Sequence, residues 1–248
     1  MTSLDGYKRY LSIVQSQIEC ALSDRVTTAI ATAAQLIADR IQGGGIVYAF
    51  GASHAGLLVQ DQFYRAGGLV PIQPILPSSL MLNTTPVTAT SALEQTPGMA
   101  AAILEDIELG EGDLLLIVSV SGRNAVPVEM CELAQARGVT VIALTNLTYS
   151  SSVSGRGVPR LFEVADVVID LPGVIGDAAV DIGEGMPPIG PTSSAVGAAI
   201  LHGLMVEAAT ILIDRGTTPP VFASANLDNS AAWNDHWIET YRNRLNYL

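Results

Sequence analysis

The segment from Asp113 to Arg137 constrains the fold more than any other. Asp113–Val118 is an apolar run short enough to be a buried strand. Ala125–Arg137 has the spacing of an amphipathic helix and is closed by Gly138. Between them stands Ser119-Val-Ser-Gly-Arg-Asn124. A strand that turns into a helix through serines and a glycine brings hydroxyls and free N–H groups to a helix N-terminus. The aligned peptide dipoles add partial positive charge there. Such a turn is suited to holding an anion such as a phosphate.

The same rhythm recurs along the chain. Ile46–Phe50 is another apolar run, followed by Gly51-Ala-Ser-His54 and a helical stretch to about Arg65. Leu69–Ile75 (broken by Pro71 and Pro74), Val139–Leu144 and Asp166–Leu171 predict further strands. Strands that are nearly all apolar and alternate with helices require a parallel sheet covered on both faces. Ligands in such sheets bind beyond the carboxyl ends of the strands. Both small-residue turns, Gly51–His54 and Ser119–Asn124, fall at that edge.

The remaining segments carry less signal. Leu4–Ile41 predicts helix with a break near Ser23–Asp24, and Thr192–Arg215 predicts one long helix. Pro77–Thr96 predicts a loop with short elements, and Pro97 is expected at the first position of a helix over Met99–Ile107. Ser150–Arg160 and Pro172–Pro191 predict irregular chain, separated by a short helix over Arg160–Ala165. The tail from Thr217 turns helical at about Asn229. The expected organisation is one domain over 1–248: a helical extension (1–42), an α/β core (43–215) and a C-terminal tail (216–248).

Charge narrows the partners. The formal net charge of −12 argues against nucleic acid and leaves room for an anionic metabolite at a helix terminus. Cys20 and Cys131 have no metal-ligand spacing, and free thiols fit a reducing, cytoplasmic setting. The first residues lack the apolar core of a signal peptide. Ala195–Ile213 is long and apolar, but His202 and Glu207 interrupt it. A buried helix or a subunit contact is expected there, and no membrane span.

These motifs resemble the SIS (sugar isomerase) domain family, whose members bind phosphosugars. The resemblance runs from about Ile41 to Arg215. It rests on Asp113–Glu129, on Gly51-Ala-Ser-His54, on Arg160–Asp170 and on Gly190-Pro-Thr-Ser-Ser194. It is nearest to stand-alone sugar isomerase domain proteins related to phosphoheptose isomerases. The resemblance implies a three-layer sandwich, with helices on both faces of a parallel sheet, and pairing into a homodimer or tetramer. It also implies that Ser53, Ser119 and Ser121 donate hydroxyls to a sugar phosphate, with the N–H groups of Gly122, Arg123 and Asn124 completing the cradle. Asn124 stands where the family often has Thr or Ser, and its amide could donate in their place. Arg123 either adds a charge-assisted contact or points to solvent.

The reaction implied is aldose–ketose isomerisation through an enediol, which needs a base at the sugar C1–C2. Glu94 is the candidate base and His202 the candidate ring-opening acid. His54 either caps its turn or reaches a sugar oxygen, and Glu184 is a weaker acid candidate. His202 and Glu207 are five residues apart, roughly 140° around a helix, and cannot easily act as a pair. Two other functions suit the same ligand class: a lyase-type etherase on a phosphorylated amino sugar, and a phosphosugar sensor without catalysis. The phosphoheptose isomerases place a glutamate near Gln62 and Phe63, where Asp61 is the nearest acid, and a metal-ligand glutamine near Ser194. Neither matches here, so neither metal nor other cofactor is expected.

Overall fold

The computed structural model describes residues 4–248. Its centre is a five-stranded sheet of β1 (Val47–Gly51), β2 (Ile72–Ile75), β3 (Leu114–Val118), β4 (Thr140–Thr145) and β5 (Val167–Asp170). The order is β2-β1-β3-β4-β5, and every neighbouring pair runs parallel. The apolar runs become these strands because both of their faces are covered.

Period-two alternation sorts the strand residues into two cores. Val47, Ala49, Leu114, Leu116 and Val118 pack with α2 (Asp24–Gln42), α3 (His54–Gln62) and α9 (Ser193–Asp214). Tyr48, Phe50, Leu115 and Ile117 pack on the other side with α5 (Met99–Leu104), α6 (Ala125–Gln135) and the tail that holds α10 (Ala231–Tyr241). Leu115, Leu116 and Ile117 are fully buried. Each such side chain contributes about 1.5–3 kcal/mol relative to exposure. The result is the expected sandwich of helices, sheet and helices.

Among the described residues, α9 alone is long and apolar enough to cross a bilayer. Its residues Val196, Ile200, Leu204, Ala208 and Leu212 recur every four positions and are buried in the first core. That stripe makes α9 a core helix of the sandwich.

Three local expectations need correction. The helix after Pro97 begins at Met99, capped by left-handed Gly98, whose N–H donates to Glu129 Oε2 at 2.8 Å. A carboxylate on α6 sets that start, and the proline lies outside it. The predicted loop at Ser150 instead holds the end of α7 (Leu147–Ser152), because Asn146 Oδ1 accepts the Tyr149 N–H at 2.8 Å and caps a helix there. The Gly/Pro segment before α9 contains an antiparallel pair, β6 (Ala178–Val180) and β7 (Ile189–Pro191). It is held to α1 (Asp5–Cys20) by the Tyr10 hydroxyl, which donates to the Pro191 carbonyl at 2.8 Å. Strands of three residues are too short to show a period.

Candidate functional site

The strand order reverses between β1 and β3. From β1 the chain crosses outward to β2, then returns to β1's other side as β3. Helix α3 leaves β1 toward one face and α6 leaves β3 toward the other, so a crevice opens at their carboxyl ends. The register sets Gly51 beside Val118. The two turns singled out in the sequence therefore begin about 4.8 Å apart.

The first turn is sterically forced. A Cβ on Gly51 would lie 2.6 Å from the Ala55 carbonyl oxygen, so only a hydrogen fits. Ser53 takes up φ 55 and ψ −123, a conformation that costs about 1–3 kcal/mol. Its N–H donates at 2.7 Å to the Leu80 carbonyl, in the single helical turn Ser78–Leu80 that follows β2. The strained residue is thus held from the neighbouring strand's loop. His54 opens α3 and is exposed, with Nδ1 at 3.5 Å from Ser53 Oγ.

The second turn is anchored through its carbonyls and keeps its donors free. The Val120 carbonyl accepts from the Asn146 N–H at 3.0 Å and from the Thr145 hydroxyl at 3.2 Å. The Gly122 carbonyl accepts from the Leu161 N–H at 2.7 Å, at the start of α8 (Leu161–Val164). By contrast, the N–H groups of Ser121, Gly122, Arg123 and Asn124 have no hydrogen-bond acceptor among the described residues. Gly122 is left-handed (φ 56), and a Cβ there would come within 3.0 Å of Thr145 Oγ1 and 3.1 Å of Ser150 Oγ. Ser119 is buried, and Arg123 is half-buried with its Nε enclosed and unpartnered, so Arg123 is not simply a solvent-facing charge. Four unpaired N–H groups, two serines and a helix N-terminus form an anion cradle.

Glu94 joins this cradle from the same face as α6. It follows α4 (Thr88–Leu93), and its carbonyl accepts the Val126 N–H at 3.1 Å, in the first turn of α6. Burial pushes its carboxyl above the usual glutamate range. A hydrogen bond from Asn124 and the nearby Arg156 guanidinium pull it partly back. Asn124 Oδ1 accepts from Arg156 Nη1 at 2.8 Å. The Asn124 side chain is therefore engaged with Arg156, while its backbone N–H has no acceptor among the described residues.

His202 is placed elsewhere. Its Nε2 lies 2.7 Å from Asp61 Oδ2 and 3.1 Å from Arg65 Nη1. One ring nitrogen cannot both donate to Asp61 and accept from Arg65. The shorter contact to the carboxylate makes Nε2 the donor, and Arg65 is held by its ion pair with Asp61. Asp61 sits seven residues into α3, about 10 Å along the axis from His54. His202 and Glu94 thus lie on opposite faces of the sheet, and one chain does not bring them together as a base and acid pair. Glu184 lies in the exposed turn between β6 and β7, within a segment held to α1.

A cavity of about 510 Å³ lies at the opposite end of the sheet, between Arg40, Tyr48, Gln73 and Arg244. Most of its polar groups are already used. Arg40 pairs with Asp113, the Tyr48 hydroxyl donates to the Glu108 carbonyl, and Gln73 Oε1 accepts the Asn246 N–H. It closes the sheet's amino edge under the C-terminal tail.

Comparison with known proteins agrees with this fold. The SIS domain model matches residues 9–146. The UPF0309 protein ABC0887 of Shouchella clausii is 44% identical over 218 residues, 87% of this chain and 89% of that protein. This chain belongs to the SIS domain family. Its fold is also similar to a phosphoheptose isomerase of Francisella tularensis, at TM-score 0.55 and 21% identity, over 85% of this chain and 100% of that one. The phosphoheptose isomerase GmhA of Neisseria gonorrhoeae aligns at TM-score 0.51 and 16% identity, over 82% and 95%. At such identities these two structures speak for the SIS fold.

The metal site implied by phosphoheptose isomerases does not fit the residues present. Asp61 is committed to His202 and Arg65, Ser194 stands in place of the glutamine, and the described residues contain no group of three His, Cys, Asp or Glu that could hold an ion.

Sequence reasoning missed Arg156 and the Asp61–His202 pair. The signal for Arg156 was present: a lone arginine between Gly155 and Gly157, in the loop beyond a strand's carboxyl end. The Asp61–His202 pair spans 141 residues and left no local trace.

Proposed function

We propose that this SIS domain protein isomerises an aldose phosphate and a ketose phosphate of a hexose or amino sugar. The reading is supported by the four-donor anion cradle and by half-buried Glu94, whose carbonyl is bonded to the first turn of α6 beside it. The cradle holds the phosphate at the N-terminus of α6, with hydroxyls from Ser53, Ser119 and Ser121 and charge from Arg123. Glu94 takes the proton from the carbon beside the carbonyl and returns it to the neighbouring carbon, passing through the enediol. His54, exposed on the rim of the first turn, is the acid for ring opening. The family's phosphosugar-binding fold supports the ligand class.

Ser121→Ala tests the cradle. It removes one hydroxyl donor and should weaken sugar phosphate binding by about 1–2 kcal/mol in calorimetry. The ligand for that titration is chosen by thermal shift against a panel of sugar phosphates, since a native-state ligand raises the melting temperature. Unchanged affinity in Ser121→Ala moves the phosphate out of the crevice.

We also read the chain as a homodimer. Tyr7, Leu11, Ile18 and Leu22 on and just after α1 are exposed, as are Val206 and Ile213 on α9. An apolar groove lined by Ile18, Leu22, Val26 and Ile200 runs between these elements. A second copy would cover this surface. Sedimentation equilibrium should give twice the chain mass, falling toward one in Leu22→Asp; one chain mass for the unaltered protein rejects the dimer.

A further inference from the structure

We propose that Arg156 is the second charged arm of the anion cradle, and that it selects a doubly charged phosphate monoester over singly charged groups of the same shape. The proposal rests on the crevice being the phosphate site, and it assigns the charge specificity of that site to a residue outside the two turns.

Most arginines in this chain are already engaged. Of eleven, six form ion pairs with carboxylates. Arg9 and Arg137 donate to backbone carbonyls. Arg123 and Arg156 form no ion pair among the described residues, although the chain carries a net charge of −12. The two sit on adjoining segments, where the Arg156 N–H donates to the Arg123 carbonyl at 3.3 Å. Two unpaired positive charges held close together attract an anion and repel each other without one.

Arg156 is held both by its loop and by its side chain. A Cβ on Gly155 would lie 1.9 Å from the Val158 carbonyl oxygen, so the bend before Arg156 admits only glycine. The Leu161 N–H fastens the end of the same loop to the Gly122 carbonyl at 2.7 Å. The side chain is exposed, and its Nη1 donates to Asn124 Oδ1 at 2.8 Å. That acceptor is neutral, so it orients the guanidinium without cancelling its charge. Nε and Nη2 have no acceptor among the described residues. Within one asparagine the amide oxygen lies no farther than about 5 Å from the backbone nitrogen. Nη1 therefore stands within about 8 Å of the Asn124 N–H, one of the four unpaired donors of the cradle. A charge at that range still acts on a bound anion at physiological ionic strength. Coulomb energy scales with ligand charge, so the arm stabilises a dianion about twice as much as a monoanion of the same shape. The site should accordingly take a terminal phosphate monoester and discriminate against a sulfate ester or a phosphodiester.

The test uses small anions, so the identity of the sugar does not enter. Methylphosphonate and methanesulfonate share one tetrahedral shape. In mildly alkaline buffer the first is mostly a dianion and the second a monoanion. Each is titrated at constant ionic strength and followed by the backbone amide NMR shifts of Ser121, Gly122, Arg123 and Asn124. Native protein should bind methylphosphonate the more tightly. Arg156→Gln should weaken methylphosphonate about 10-fold and methanesulfonate only about 3-fold, because half the ligand charge loses half the free energy. Arg156→Lys keeps the charge and should return most of the affinity and of the discrimination. Arg156→Ser replaces Arg156→Gln if the latter does not fold. A merely structural role for Arg156 would lower both affinities by the same factor. That result, or unchanged methylphosphonate binding in Arg156→Gln, overturns the proposal. Native amides that ignore both anions would instead remove the phosphate site itself, and the arm with it.

Discussion

Glu94→Gln should slow the exchange of the substrate's C2 hydrogen with deuterated solvent at least about 100-fold, with sugar phosphate affinity nearly unchanged. The amide keeps the shape and the contact to α6 but cannot accept the proton. Phosphate binding is carried by the cradle, so affinity should stay. The pH profile sharpens the test. Burial raises the Glu94 carboxyl, so the rising limb of exchange should lie above the ordinary glutamate range of 4.5, and Glu94→Gln should lack it. Stability moves the opposite way to activity. A carboxyl whose folded pKa is raised contributes most below its unfolded value and loses that contribution as pH climbs through the folded one. At neutral pH the ionised, half-buried Glu94 costs stability, so Glu94→Gln should melt higher than the native protein. Below about pH 4 that advantage should vanish. Lost exchange with a higher melting temperature marks a group kept for chemistry at the expense of stability. Full exchange in Glu94→Gln rules out Glu94 as the base.

The sheet and its long helices were legible because burial imposes a period. Asp113–Val118 and Val139–Leu144 could only be strands covered on both faces; the first starts one residue later in the structure, and the second is shifted by one residue at each end. Both small-residue turns were legible because glycine and serine at a strand end leave few alternatives. Their adjacency was not, since it follows from the strand order, which no local pattern encodes. Asn124 shows the same limit. Its role as a donor to phosphate followed from its place in the turn, but a guanidinium 32 residues away holds its amide oxygen. His202 was singled out correctly as a polar residue on an apolar helix, yet its partner, Asp61, lies on α3, on the face away from Glu94.

Gly51→Ala should damage both the fold and the site. The added methyl would meet the Ala55 carbonyl oxygen at 2.6 Å, its carbon at 2.7 Å and the Gly56 nitrogen at 3.0 Å. These are backbone atoms of the first turn of α3, so no side chain can swing aside. Either β1 withdraws from its register with β3 or the start of α3 moves. Overpacking of this kind costs about 1–3 kcal/mol, and the fully buried strand beside it leaves little room for relaxation. Movement of α3 would also carry away Ser53, whose φ of 55 is held by the Leu80 carbonyl. Sugar phosphate affinity should therefore fall further than in Ser53→Ala, which removes the hydroxyl and leaves the turn in place. Gly6→Ala is the matched control: on α1 the new methyl meets nothing within 4 Å, and stability should hold or rise by up to about 1 kcal/mol. Urea denaturation and calorimetry on these three variants separate the two effects. If Gly51→Ala matches the native protein in both measurements, the tight strand-to-helix turn is not what presents Ser53 to the crevice.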